Sequence, residues 1–596
     1  MRVLILLMML LWTSPVWAVT LPTLPTANVD VTMPTITGNT YTVTSCGTLQ
    51  STLNTAAAAN ITLNHVINVT AGLTCSGSIG LPSRVGATGW VILRSANHAS
   101  LPAGTRVSPA SASNMFQVAY GESPNIGAIT VLQGASHYRL VGISMVTNNS
   151  IPINQVLMEM GYGNNGFTNT GYIIIDRCLI RDISSPSDYT KQTRSGVMGE
   201  AQLGHTALID SYVANIKNTT GDVYAWLSTS NPGPILLRNN YLEATGMGVM
   251  FCGSQPRAQA EQPTNITMQR NTVAKASAWW TDPTWNTKTL LEFKCGKKVL
   301  VEGNIFENIG WAREQGWAFR FTVRAEHADH TWAESSDITF RYNLIRNINN
   351  VFQMFGSDDN GNQCTPACIS MHSKRWNFHD NLIYGLSFNA GGGAPEGAMF
   401  RTTFGGQGSS CTDPTPTCGI EDFRFAHNTI DDIGGEGQWC LISTHARGLD
   451  FQDNLINNNA ERGIWNCNSG GAVGQALITN VYAATWTYNF NTVANVNNGD
   501  FSSAFPQFSN FYPANISSVP FTNRATRDYT LTAHCPGQSN LCASDSTDKG
   551  VNWTAFNAAQ AGTGGVDTTP PAAPTGVTIT QPYAPINLHF VTQGTR

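Results

Sequence analysis

Strand-like apolar runs recur along this 596-residue chain, each followed by Asn and then by two or three further apolar positions. Seven Asn residues share this position, at intervals of 26 to 47 residues. They are Asn240, Asn271, Asn304, Asn343, Asn381, Asn428 and Asn454. A unit of this length cannot bury its own apolar face, so neighbouring units must stack on one another. The pattern therefore predicts a solenoid.

The apolar runs have the composition of β-strands. Segments 172–175, 299–301 and 338–340 are short and rich in β-branched or aromatic residues, without helical spacing beside them. The solenoid is therefore predicted to be all-β, with about ten coils of parallel strands. We expect each Asn to form a tight corner in left-handed geometry and to bond to the Asn of the next coil. Cys178 and Ser211 occupy the same position in earlier units.

Four segments are expected along the chain. Residues 1–18 combine a basic residue, an apolar run and a small-residue cleavage site, as in a secretory signal peptide. Residues 19–136 are predicted to form an N-terminal cap and the first coils, with a short amphipathic helix starting near Leu49 that covers the open end of the stack. Residues 137–556 form the β-helix proper. Residues 557–596 are a Pro, Gly and Thr-rich linker and tail.

Composition limits the partners of the protein. Charged residues make up 12% and the formal net charge is −5, which is not typical of a nucleic-acid binder. No stretch after the signal is apolar for long enough to span a membrane, so we expect an exported protein in the extracellular space or periplasm. We also expect it to be a monomer that does not bind a membrane. Thirteen cysteines in an exported chain predict disulfides, with Cys178 left as a buried thiol. The expected pairs are Cys46–Cys75, Cys252–Cys295, Cys364–Cys368, Cys411–Cys418, Cys440–Cys467 and Cys535–Cys542.

The repeat sequences also resemble a known group. The segments YIIIDRCLI from Tyr172, VLVEGNIFENIGWA from Val299 and ITFRYNLIRNI from Ile338 resemble secreted bacterial right-handed parallel β-helix proteins of the pectate lyase-like superfamily. The resemblance covers roughly residues 45 to 555. It implies a right-handed coil and a carbohydrate partner, but it leaves the reaction open, because the superfamily includes lyases, hydrolases, epimerases and non-catalytic adhesins.

Candidate chemistry follows from strand alternation. The resemblance implies a substrate groove along the strands upstream of the Asn motifs. Period-two alternation in those strands predicts one outward column of polar side chains, with two cations beside it on the same face. The column contains Glu292, Arg320, Gln353 and Arg401, and the two neighbouring cations are Lys294 and Arg324. The alternative interpretation is a structural ladder of salt bridges, such as Glu292 with Arg320.

Such a column suits β-elimination on a uronic-acid polymer. That reaction needs a base beside the substrate carboxylate and cations to stabilise the enolate that develops. Lys294 or Arg320 is the predicted base, and Glu292 is expected to orient them. The residues expected to bind the anionic polysaccharide are Arg324, Gln353 and Arg401.

Nearby loops could form the walls of the substrate groove, and one of them contains a candidate cation site. Trp317 and Trp280 are predicted to stack on sugar rings, although large aromatic residues also cap loops over a solenoid. Asp358, Asp359 and Asn360 form an oxygen-rich turn that suits calcium, but they lack the full EF-hand spacing. No metal ligand is assigned from the sequence.

Two other functions stay open at this point. A glycoside hydrolase needs two carboxylates, and the column supplies only Glu292. Hydrolysis at the column would require Glu314, Asp358 or Asp359 to approach from loops. A non-catalytic polysaccharide-binding or adhesin β-helix is the alternative from another class.

Overall fold

The architecture is taken from a computed structural model. It describes residues 19–120, 126–147, 155–161, 170–200, 204–253, 256–280, 282–310, 316–324, 332–356, 371, 373–386, 399–402, 420–431, 439–441, 447–458, 486–495 and 509–561.

Three long parallel sheets, here named A, B and C, run along the molecule, and each coil contributes one strand to each sheet. The chain passes from sheet A to sheet B at the Asn corner, then to sheet C, and returns through a loop to sheet A of the next coil. The prediction of an all-β, right-handed parallel β-helix is confirmed. The sheets hold 14, 13 and 11 strands among the described residues, so the stack is longer than the ten coils expected. The additional coils lie at the N-terminal end, where no Asn motif marks the corner in the sequence.

The first strands of sheet A precede the coils that carry an Asn corner. Its strands are Thr40–Val43, His65–Val69, Val91–Ser95, Ser136–Val141, Gly171–Asp176, Thr206–Ile209, Ile235–Arg238, Thr264–Gln269, Gly296–Glu302, Ser335–Arg341, Lys374–His379, Glu421–Ala426, Arg447–Gln452 and Trp486–Asn489.

Sheet B follows each Asn corner. Its strands are Thr74–Ser76, Phe116–Tyr120, Ile143–Thr147, Leu179–Arg181, Tyr212–Ile216, Tyr241–Ala244, Thr272–Ala274, Ile305–Ile309, Leu344–Ile348, Leu382–Tyr384, Thr429–Asp431, Leu455–Asn457 and Thr492–Ala494.

Sheet C precedes the loops that return the chain to sheet A. Its strands are Ile79–Leu81, Ile129–Val131, Gln155–Met160, Thr193–Gly199, Tyr224–Ser228, Met247–Phe251, Leu291–Phe293, Trp317–Thr322, Asn350–Phe355, Phe400–Thr402 and Trp439–Leu441.

A ladder of buried amides runs inside the corner between sheets A and B. At each step the side-chain oxygen of one Asn accepts hydrogen bonds from the backbone and side-chain N–H groups of the Asn one coil earlier, at about 3 Å. The contacts link Ser211, Asn240, Asn271, Asn304, Asn343, Asn381, Asn428, Asn454, Asn491 and Asn510. The predicted column is therefore present and extends beyond the seven motifs.

The left-handed corner residue differs from the prediction. The residue before each Asn, not the Asn itself, has positive φ, as at Asn239 (57°), Arg270 (55°) and Asp453 (61°). The left-handed residue turns the chain outward, and the Asn side chain then points into the coil, where it replaces missing backbone partners. The recurring Asn therefore supplies a buried amide group, and the residue before it supplies the left-handed backbone.

The N-terminal end is closed as expected. Helix Cys46–Ala58 packs Leu49, Leu53, Ala56 and Ala57 against the first strands. Residues ahead of it run along the outer face of sheet A, where the backbone N–H of Thr23 donates to Asp337 at 3.0 Å. The predicted signal peptide lies outside the described residues.

The C-terminal segment does not continue the coils. Residues 509–561 contain an antiparallel pair, Phe521–Asn523 with Asp528–Leu531, and helix Trp553–Ala561. The predicted β-helix range of 137–556 included this segment because its short apolar runs resemble strands. It instead folds back over the corner and outer face of sheet B, where the Tyr529 hydroxyl donates to Asp431 at 2.7 Å. Residues 562–596 of the predicted tail lie outside the described residues.

Three disulfides agree with the prediction: Cys46–Cys75, Cys252–Cys295 and Cys535–Cys542. Cys178 is a buried free thiol in the corner column, as predicted. The other three predicted pairs each include a residue outside the described part of the chain. Among the described residues, the longest helices fall short of the length and apolar character that crossing a bilayer requires.

Candidate functional site

The predicted polar column lies on the outer face of sheet C. Backbone pairing places Glu292 beside Arg320, Arg320 beside Gln353, and Gln353 beside Arg401. Adjacent strands are about 4.8 Å apart, so these four positions form one continuous line of rungs. We call Glu292, Arg320 and Gln353, together with Lys294 and Arg324, the sheet C strip.

Inward aromatic residues fix this register. Phe293 packs against Phe321 with ring centroids 5.7 Å apart, and Phe319 stacks on Phe352 at 5.0 Å. All four rings are buried in the central core. A slip by one residue would turn these rings outward and the polar column inward, so core packing specifies which side chains form the strip. The strip is therefore positioned by rigid strands rather than by loops.

Glu292 and Lys294 form a buried ion pair at one end of the strip. The Lys294 ammonium lies 3.3 Å from one carboxylate oxygen of Glu292, and Thr289 donates to the other oxygen at 3.2 Å. The two residues are only 2% and 8% exposed. Because the pair is held out of water, its charges act at close range on anything bound beside them.

Arg320 and Gln353 continue the strip on the next two rungs. The Arg320 Nε donates to the Gln353 side-chain oxygen at 2.6 Å, and this hydrogen bond helps to orient the guanidinium. Arg324 follows the same strand, and its backbone N–H donates to the Lys294 carbonyl at 2.9 Å. Both arginines are partly exposed. The strip thus combines a buried ion pair with two cations that retain contact with solvent.

A disulfide holds the Lys294 end of the strip. Cys252 follows strand Met247–Phe251, Cys295 directly follows Lys294, and their Cα atoms are 5.6 Å apart. The crosslink ties two neighbouring coils together next to the ion pair. This proximity restricts the backbone that carries Lys294 and helps to keep the ammonium beside Glu292.

Both aromatic predictions need correction. Trp317 is 1% exposed, so its ring faces are covered and cannot stack on a sugar. It starts strand Trp317–Thr322, where alternation points the ring away from solvent. Trp280 is partly exposed but lies over sheet B, and its indole N–H donates to the Lys275 carbonyl at 3.0 Å. Sequence spacing could not show on which face the loop carrying Trp280 would fold.

For the remaining predicted site residues, the structure gives a backbone position or nothing. Arg401 is placed by its backbone register only. Glu314 and the oxygen-rich turn Asp358, Asp359 and Asn360 lie outside the described residues. Within the part of the chain that the structure describes, there is no group of three or more His, Cys, Asp or Glu side chains suited to a metal.

One notable residue of sheet C was missed from the sequence. Glu159 lies further along the outward side of the sheet, is fully buried, and pairs in register with Met198. Neither carboxylate oxygen has a hydrogen-bond partner among the described residues, and burial together with nearby Glu200 raises the pKa of Glu159 to about 9. The signal was present as a lone acidic residue in the apolar run QVLMEM. Without an Asn motif in that coil, the sequence does not indicate which residues of the strand face outward.

The strip ends where the outward column changes character. On earlier coils the column continues as Met250, Leu227 and Met198, which pack into an apolar cluster. From Glu292 onward the positions are polar. An extended anionic ligand laid along sheet C would therefore meet Lys294, Arg320 and Arg324 where the column turns from apolar to polar. Such a surface can bind carboxylates and stabilise negative charge next to a bound chain.

The similarity of this chain to known proteins is low. No protein family matches this chain, and no curated protein is similar to it. An alginate lyase from Paenibacillus sp. str. FPU-7 is similar in structure, with 12% identity and a TM-score of 0.34 over 58% of this chain and 94% of that chain. A mutant tailspike protein of E. coli bacteriophage HK620, in complex with a pentasaccharide, has 12% identity and a TM-score of 0.39 over 78% and 74%. At such low identity, the activity of this chain has to be argued from its own residues.

Proposed function

We propose that the chain is an exported, carbohydrate-active protein of the pectate lyase-like superfamily that cleaves a uronic-acid polymer by β-elimination. The observation that carries this proposal is the sheet C strip. It sets the buried pair of Lys294 and Glu292, 3.3 Å apart, beside Arg320 on the adjacent rung. The disulfides in the described coils also fit an oxidising compartment.

The strip supports a division of roles. Arg324 and Arg320 bind the substrate carboxylates, with Gln353 orienting the Arg320 guanidinium through its 2.6 Å hydrogen bond. Lys294 or Arg320, in its neutral form, accepts the proton from the carbon beside the carboxylate and becomes cationic. The cations then stabilise the enolate while the bond to the leaving sugar oxygen breaks and a carbon–carbon double bond forms. Glu292 holds the Lys294 side chain in place before and after the proton transfer.

The test uses the product's own absorbance. The full chain is incubated with pectate, alginate and glycosaminoglycans, and the ultraviolet absorbance of unsaturated uronates is followed together with polymer size. We expect absorbance to rise on one of these polymers. Arg320→Ala and the double variant Glu292→Gln with Lys294→Met should each lower the rate by roughly 100-fold or more, the usual loss when acid–base chemistry is removed.

A matched control exists on another face of the coil. Lys297 lies on sheet A and forms a comparable ion pair with Glu334, at 3.7 Å. Lys297→Met should leave the rate unchanged. The proposal is overturned if no polymer gives absorbance or shortens, or if the strip variants turn over at the wild-type rate. Reducing ends without absorbance would instead indicate hydrolysis.

A further inference from the structure

A cavity of about 370 Å³ lies over the outer face of sheet B, on a different side of the coil from the sheet C strip. Its floor comes from strands Leu179–Arg181, Tyr212–Ile216, Tyr241–Ala244 and Ile305–Ile309. Its walls come from residues 183–186 and 276–280. The described C-terminal segment covers sheet B around Leu382 and contributes no residue to this cavity.

The cavity is elongated along the stack of coils. Arg181 lies at one end, on strand Leu179–Arg181, and Glu307 and Asn308 lie at the other end, on strand Ile305–Ile309. Three other strands of sheet B separate these two, so the ends of the cavity are about 19 Å apart. A site of this length suits an extended chain better than a single small molecule.

The acids that line the cavity are matched by cations of the fold. The matched groups are Asp182 with Lys217 at 3.1 Å, Glu307 with Arg346 at 2.7 Å, and Glu243 with Lys275 through their electrostatic attraction. Burial opposes both charges of the last pair, because it raises the pKa of Glu243 and lowers the pKa of Lys275. The acids of the cavity therefore leave no uncompensated negative charge that would repel an anionic ligand.

Arg181 is the cation that has no acid to match it. Its guanidinium forms no ion pair or hydrogen bond with any residue that the structure describes. The Nε atom is buried, whereas the residue as a whole is partly exposed, so the terminal nitrogens are the atoms that reach solvent. Arg181 and Arg106 both act electrostatically on Tyr212, which makes this end of the cavity positive. An unpaired guanidinium in a cavity can bind a carboxylate through two parallel hydrogen bonds.

Hydrogen-bonding groups without partners continue along the cavity. Asn308 is 7% exposed, and its side-chain oxygen accepts from Asn347 at 3.2 Å, but its amide nitrogen has no partner among the described residues. Glu307 uses one oxygen for both contacts with Arg346 and leaves the other oxygen without a described partner. Buried polar groups rarely stay unpaired in folded proteins, so these atoms indicate a ligand with both donors and acceptors.

Two fixed aromatic side chains complete the cavity. Trp280 is partly exposed on the wall, and its indole N–H donates to the Lys275 carbonyl at 3.0 Å, which holds the ring in place. Tyr212 is partly exposed on the floor and is held by stacking on Tyr241, with ring centroids 4.7 Å apart and 13° between the planes. Aromatic surface beside hydrogen-bonding groups is typical of sites that bind sugar rings.

We propose that this cavity is a second binding site for an acidic polysaccharide, which holds the chain without cleaving it. Arg181 binds a uronate carboxylate, Trp280 packs against a sugar ring, and Asn308 and Glu307 bond to hydroxyl groups at the far end. The choice of a uronic-acid polymer rests on the proposed function, but binding in the cavity does not depend on cleavage at the sheet C strip. An anchor on a second face strengthens the attachment of a polymer that is long enough to reach both sites.

The experiment is calorimetric titration of the full chain carrying Arg320→Ala and Arg324→Ala, which removes the partly exposed cations of the strip. The probes are tetrasaccharides prepared from pectate, alginate and hyaluronan, with xylotetraose and mannotetraose as uncharged comparators. We expect at least one acidic probe to bind at one site per chain, at least tenfold more tightly than the uncharged ones.

Variants of the cavity then locate that site. Adding Arg181→Met should weaken binding of the acidic probe about tenfold or more, the usual loss for hydrogen bonds to a charged group. Adding Trp280→Ala should weaken it about threefold or more. Arg238→Met is the matched control, because Arg238 is a partly exposed arginine at the end of a strand of sheet A, and this variant should leave the affinity unchanged.

Urea denaturation separates ligand binding from a structural role of Arg181. Because its guanidinium has no described partner, Arg181→Met should not lower the stability of the protein; lost binding that is explained by lost folding overturns the proposal. No binding of any acidic probe, equal affinity for the uncharged probes, or unchanged affinity of the Arg181→Met variant does the same. Failure of the proposed function gives a different result, namely no unsaturated uronate from the wild-type protein while the strip variant still binds the acidic probe.

Discussion

Replacing Asn304 by Ala removes one rung from the middle of the buried amide ladder. Asn304 is fully buried, and its side-chain oxygen accepts from both the backbone and the side-chain N–H of Asn271 at 2.9 Å. Its amide group donates to the Met268 carbonyl and to Asn343, each at 3.0 Å. After the substitution, two N–H groups of Asn271 and one carbonyl lose these partners inside the coil.

The cost follows from those three groups. A buried polar group without a partner costs about 1 to 3 kcal/mol, and a water entering the vacated space recovers part of it. We therefore expect Asn304→Ala to lower the free energy of unfolding by about 3 to 5 kcal/mol. Asn304→Ser should cost less, because Ser211 on an earlier coil accepts from the backbone N–H of Cys178 at 3.0 Å.

Urea denaturation followed by far-ultraviolet circular dichroism measures both changes. The control is Asn489→Ala, outside the ladder at the end of the last strand of sheet A, where the side chain accepts from Phe490 and Ser509 near the surface. We expect the order Asn304→Ala, then Asn304→Ser, then the control, from most to least destabilised. A loss below about 1 kcal/mol for Asn304→Ala would refute the assignment of corner stability to buried amides.

Three further predictions concern charge. Glu159 keeps its proton in the folded state up to about pH 9, whereas the unfolded chain releases it near 4.5, so its contribution to stability falls as pH rises between these values. The free energy of unfolding of Glu159→Gln, measured by urea denaturation, should therefore match that of wild type at pH 5 and exceed it by up to about 4 kcal/mol at pH 8. Equal stability of the two proteins at pH 8 would contradict this prediction. Lys294→Met alone leaves the buried Glu292 carboxylate without its cation and should lower the free energy of unfolding by about 3 to 5 kcal/mol. Adding Glu292→Gln should recover most of that loss. A double-mutant cycle in which the two effects simply add would rule out the ion pair. Binding of the anionic polymer to the strip should weaken steeply between low and moderate salt, measured by calorimetry, and salt-independent binding would argue against cationic recognition.

Much of the fold was predictable because each local pattern had one physical solution. Buried amides recur where a corner needs hydrogen-bond partners, so the Asn repeat specified stacked coils. Alternation of buried phenylalanines with polar residues then specified the register that brings Glu292, Arg320 and Gln353 together. Both signals are local to one strand and its neighbour.

Features that depend on distant segments were not predictable in this way. The fold of residues 509–561 depends on contacts such as Tyr529 with Asp431, almost a hundred residues earlier in the chain. The position of Trp280 over sheet B depends on how its loop folds across several strands, which no local pattern reveals. Burial of Trp317 likewise required the packing of neighbouring coils.

The most direct test of the proposed activity is ultraviolet absorbance on pectate, alginate and glycosaminoglycans, comparing wild type with the double variant Glu292→Gln and Lys294→Met. The wild-type protein should generate unsaturated uronate on one of these polymers. The double variant, folded by circular dichroism, should lose roughly 100-fold or more of that rate. Wild-type turnover by the folded double variant, or no absorbance from the wild-type protein on any of the polymers, would contradict the account.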